Sequence, residues 1–111
     1  MAYDVTLAKR VGALLRRRKN ITQKAMFGGI CFLVNDNMCC GVERDKLVVR
    51  VGPEQYEQLL QRRHVKPMDF TGRPLRGFIY VMPAGLRGQE ALKSWLEWGL
   101  RYAGSIPAKR G

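Results

Sequence analysis

Three cysteines, one histidine and nine acidic residues are the side chains in this 111-residue chain from which bond-making chemistry could be built. Cys31 sits inside the apolar run Ile30-Cys31-Phe32-Leu33-Val34, and Cys39 and Cys40 follow Met38 in another strand-like stretch. In such company a thiol stays protonated and unreactive, so small core filler is the expected role. The cysteines lack CxxC spacing and His64 is the lone histidine, which leaves no structural zinc site to expect. An odd count argues against a disulfide framework and points to a reducing, cytoplasmic setting. The acids are scattered, and the nucleophile elbow, zincin helix, phosphate-binding loop and dinucleotide fingerprint are all absent. Neither an enzyme nor a metal or cofactor is expected.

Cations are the unusual feature. Lys and Arg number 20 against nine Asp and Glu, for a net charge of +11. The first 24 residues hold seven bases and one acid, residues 25–61 are slightly acidic, and residues 62–111 hold ten bases and three acids. A surplus of this size attracts polyanions over long range. Arg16, Arg17, Arg18 and Lys19 form the densest run, read either as the favourable charge at a helix C-terminus or as a docking cluster for nucleic acid or an acidic partner. Lys66, Arg73 and Arg76 lie in a segment rich in Pro and Gly and could converge with Arg50 on a phosphate or carboxylate. The structural alternative has Met68 and Phe70 plugging the core edge while Asp69 or Thr71 caps a turn.

The elements that would position these groups follow from periodicity. Leu7, Val11, Leu14 and Leu15 share a stripe, predicting a helix over residues 4–19. Strands are predicted over 24–27, 30–35, 37–43 and 46–51, with a turn at Asn35-Asp36-Asn37. Gly52-Pro53 stops the sheet and starts a helix to about residue 63. Residues 64–77 read as an ordered loop and 78–82 as a fifth strand. A last helix over 89–103 carries one stripe of Leu92, Leu96, Gly99, Leu100 and Ala103, and a second of Ala91, Trp95, Trp98 and Tyr102. The order α-β-β-β-β-α-β-α is that of an α+β domain with a mainly antiparallel sheet. One domain over residues 1–104 is expected, followed by a short basic tail over 105–111. The longest apolar run is five residues, far short of the roughly 20 that cross a bilayer, and Met1-Ala2-Tyr3-Asp4 does not open a secretion signal, so no membrane contact is expected.

Tight two-residue turns would place Leu33 opposite Cys40 and Cys40 opposite Val49. The face opposite the core would then carry Ile30, Phe32, Val34, Cys39 and Val48 with Arg50, an oily surface suited to a second copy or another protein.

The run Lys24-Ala25-Met26-Phe27-Gly28-Gly29 resembles the N-terminal domain of the TfoX/Sxy family. The similarity continues through residues 32–42, through Leu47-Val48-Val49-Arg50-Val51, and through Tyr80-Val81-Met82-Pro83 to Trp98. Residues 1–10 and 64–81 are similar to a short, single-domain branch, so the resemblance spans residues 4–103. It implies a two-layer α/β domain of the secretion-chaperone-like kind, often paired as a homodimer. It also implies a part in transcription regulation, since longer members act in bacterial natural competence with the cyclic-AMP receptor protein and carry a second helical domain. No catalytic residue comes with it. The expected function is a non-enzymatic regulatory or interaction module that contacts transcriptional machinery or nucleic acid through basic surfaces. A small anionic-ligand-binding domain without nucleic-acid affinity is the competing reading.

Overall fold

Asp4 opens the first helix, α1 (Val5–Leu15), by accepting the Leu7 amide at 3.1 Å, the usual way a carboxylate satisfies an orphan donor at a helix start. The computed structural model describes residues 3–26, 28–69 and 72–106. Leu7, Val11 and Leu15 are buried on one side of α1. The helix ends four residues before the predicted boundary. The Arg18 amide donates to the Leu15 carbonyl at 2.9 Å, and Asn20 at φ 64° redirects the chain into the sheet. Only Arg16, the C-cap, stands at the helix end, so the helix dipole accounts for one cation of the four.

Six strands follow: β1 (Ile21–Met26), β2 (Gly29–Val34), β3 (Asn37–Glu43), β4 (Lys46–Arg50), β5 (Val65–Asp69) and β6 (Pro74–Val81). They form one antiparallel sheet in the order β1-β2-β3-β4-β6-β5. Helix α2 (Pro53–Leu60) connects β4 to β5, and a short 3₁₀ turn (Pro83–Gly85) leads into α3 (Gln89–Ser105). The result is an α+β domain of two layers, with one strand more than predicted. That strand, β5, lies inside the segment expected as a loop. Its proline hid it: Pro67 lacks a ladder donor, which an edge strand tolerates, and Pro74 is the first residue of β6. The predicted roles of Phe27, Phe70 and Thr71, and the tail over 107–111, lie outside the described residues.

Register is where sequence and structure part. Asn35 and Asp36 take φ values of 51° and 66°, so the turn closes on these two residues and Val34 pairs with Asn37. A bulge between Phe32 and Leu33 then leaves Cys39 as the extra residue, with Leu33 opposite Met38 and Phe32 opposite Cys40. A slip of one residue reverses which face a side chain occupies. Phe32, Cys40, Val49 and Ile79 therefore form one row across four strands, packed with Leu7, Tyr56, Leu59, Leu92 and Leu96 of the helices. Cys31, Leu33, Met38, Val48 and Met68 form a second, smaller cluster to which no described helix residue contributes.

Two contacts fix the helices. Gly99 lets α3 approach β3 closely, since a Cβ there would stand 2.5 Å from the Cys39 carbonyl oxygen. The Arg10 guanidinium donates to the carbonyls of Leu86 and Gly88 at 2.9 and 3.2 Å, tying α1 to the segment that enters α3. No described helix is long and apolar enough to cross a membrane.

Candidate interaction surface

The oily face expected from the sequence does not exist as one surface. Phe32 is 1% exposed on the helix-covered side with the partly buried Ile30 and Val34 packed against the same core, and Cys39 lies beneath Gly99 of α3. Val48 belongs to the other cluster. The bulge is the reason, because it moves Phe32 and Cys39 under the helices while Cys31 and Leu33 turn away.

The anion site expected at Arg50, Lys66, Arg73 and Arg76 is also dispersed. Arg50 is held between the rings of Phe78 and Tyr102, 5.5 and 5.3 Å from their centroids. Lys66 stands opposite Tyr80 and Arg76 begins four residues earlier on β6, so about 13 Å of strand separates their levels. Arg73 is exposed in the turn before β6, and the field of Arg76 reaches Tyr56 on α2, opposing the rise that burial imposes on that phenol.

Chemistry at the thiols is suppressed by their surroundings. Burial, with the negative charge of Glu43, pushes the Cys31 thiol up to about 11. A hydrogen bond with Cys39 and complete burial hold Cys40 well above the ordinary thiol range. Both are protonated at neutral pH and neither is a ready nucleophile. Tyr80 donates its hydroxyl to Glu43 Oε2 at 2.6 Å beneath the Lys46 ammonium, and burial together with that bond keeps the phenol protonated. Among the described residues no three His, Cys, Asp or Glu side chains gather as a metal requires.

Sequence reasoning did not single out the cations of the α2–α3 flank. Arg62 stacks over Trp95 and Trp98 at 5.5 and 5.8 Å, and Arg101 over Trp98 at 5.1 Å. Arg101 follows Trp98 at the i, i+3 spacing of one helix face, which is a readable signal; Arg62 comes from a distant segment and gives none. The hollow beside these groups, about 720 Å³, mixes Arg62, Lys93 and Arg101 with Glu90 and Glu97, so its charges nearly cancel.

A different arrangement lies between α1 and the β1–β2 hairpin. There a groove of about 780 Å³ has Ile21, Ile30, Phe32 and Leu15 along it, with Lys9, Arg16 and Arg18 as its charged members and no described acid. Ala8, Gly12 and Ala13 keep it open on the helix side, and Val5, 38% exposed, stands among its lining residues. Arg17 and Lys19 are exposed in the adjoining turn. Part of the expected cation cluster and part of the expected oily face thus meet here, in a combination the sequence did not suggest.

Residues 13–103, most of the chain, match the family model described as the TfoX N-terminal domain. No curated protein and no solved structure matches the chain.

Proposed function

Since the chain belongs to the TfoX N-terminal domain family, we propose that it is a non-enzymatic interaction module that docks a polyanionic partner of the transcriptional machinery on its α1–β1 side. The observation that carries this reading is the charge asymmetry of the groove: Lys9, Arg16 and Arg18 face no described carboxylate there. The α2–α3 hollow is weaker on the same criterion, because two glutamates offset its three cations. Exposed cations are attracted to polyanions, and the attraction falls as salt screens it. The protonated Cys31 and Cys40 favour a binding role over a catalytic one.

Fluorescence anisotropy against duplex DNA and against polyglutamate, at several salt concentrations, tests the reading. Affinity is expected to fall with rising salt, on DNA with a log–log slope of about −0.9 per phosphate neutralised. The triple variant Arg16→Ala/Arg17→Ala/Arg18→Ala is expected to bind both polyanions more weakly at low salt. Equal affinity of wild type and variant would refute it.

A further inference from the structure

The two edges of the sheet are built differently. β5 is five residues long, contains Pro67, and carries a bulge between Pro67 and Asp69, all of which discourage further pairing. β1 is six residues long, has no proline, and pairs residue by residue with β2 in an unbroken register. Among the described residues it pairs with β2 alone, and Thr22, Gln23, Lys24 and Ala25 are exposed along it. The acid-free groove runs beside this edge, since Ile21 and Gln23 of β1 help to line it.

We propose that β1 and the groove together receive an extended acidic strand of a partner protein. Main-chain hydrogen bonds to the open edge would supply affinity, and alternate side chains would enter the groove. Apolar ones meet the half-buried Ile21 and Ile30, while carboxylates meet Lys9, Arg16 and Arg18. The inference rests on the reading that this side binds a polyanion, and it names the polyanion's chemistry. A second copy is the poorer occupant, because a two-fold pairing of β1 with itself sets the two Lys24 side chains near the axis and offers the groove a strand, Ile21–Met26, that holds no carboxylate. Nucleic acid has no strand with which to complete the edge.

The test uses the whole ¹⁵N-labelled chain and a short peptide in which every second residue is by turns Glu and Val, with Thr between them, so that both kinds share one side of the strand; amide exchange is followed by NMR. Binding is expected to protect amides within Ile21–Met26. Methylating alternate peptide nitrogens is expected to weaken binding roughly tenfold, the loss of one or two net hydrogen bonds. The double variant Lys9→Glu/Arg18→Glu is expected to weaken it by a similar factor while unfolding as wild type does. Gly12→Leu projects into the groove from a position whose Cβ has Phe32 Cε2 as its nearest neighbour at 3.9 Å, and is expected to weaken binding at least as much as the charge reversal. A peptide that fails to bind, binds without protecting β1, or binds equally well when Lys replaces Glu overturns the inference. So does a wild type that already dimerises with its β1 amides protected. Salt-dependent binding of DNA or polyglutamate without β1 protection removes this inference alone, whereas silence from every polyanion removes the proposed function as well.

Discussion

On the helix-covered face of the sheet, Phe32, Cys40, Val49 and Ile79 lie under side chains from α1, α2 and α3, whereas on the other face Cys31, Leu33, Met38 and Val48 are nearly as deeply buried with no described helix residue among them. The second face is sealed by the sheet's own long side chains. Met26, Leu75, Phe78 and Tyr80 pack against its cluster, the Lys46 ammonium sits 5.1 Å from the Tyr80 ring centre, and Arg50 covers Phe78. Long cations can lay their stems on apolar ground and keep their charge in water, so a roof of this kind needs no extra element. An apolar strand face is therefore weak grounds for inferring a partner. The groove beside β1 differs from both faces, since its cations have no described carboxylate opposite them and it lies open.

The two faces should differ most in what the loss of one buried side chain costs, and Phe32 carries the larger cost. Phe32→Ala is expected to cost about 3–5 kcal/mol, the range for a large side chain lost from a rigid core, read from urea unfolding. Leu33→Ala is expected to cost about 2 kcal/mol, the low end for leucine, because a surface roofed by flexible side chains can collapse onto the gap. Equal losses at the two positions would mean that the face roofed by side chains is packed as tightly as the one covered by helices.

A pH series sharpens the same contrast. The Cys31 thiol is raised from 9.0 to about 11 in the folded chain, so above pH 9 the unfolded chain releases its proton while the folded one keeps it. Stability is present in full below pH 9 and declines as pH climbs towards 11. Cys31→Ala is expected to flatten part of that decline; the remainder belongs to Cys40, Tyr56 and Tyr80, all raised in the same direction. An unchanged profile in Cys31→Ala would show that solvent reaches the thiol through the side-chain roof. The smallest expected effect is a gain: Gly12→Ala should stabilise α1 by up to about 1 kcal/mol, because a methyl there makes an ordinary contact with Phe32 and alanine is the better helix former. Thermal unfolding measures it, and a loss would mean that α1 sits closer to β2 than the groove requires.

Much of the element order is legible in residue spacing alone. The stripe of Leu7, Val11 and Leu15, the Gly52-Pro53 stop and the apolar arc of α3 each follow from it, and Cys40 pairs with Val49 as a tight turn at Arg44 demands. The face assignment of β2 is not legible, because a single bulged residue reverses it and Cys39 looks like any other strand residue in a one-dimensional pattern. Nor is β5, where Pro67 argues against a strand unless its edge position is known. The basic run Arg16–Lys19 is plain in the sequence, but that Arg16 and Arg18 adjoin Ile30 and Phe32 depends on how α1 lies across the hairpin, a three-dimensional fact.

Pro67 has one more consequence. Assembly by strand addition can grow into a filament only if each subunit offers two receptive borders, one to join and one to be joined. With one border closed by proline and bulge, a strand added at β1 as proposed would find no second border on this molecule from which the assembly could propagate.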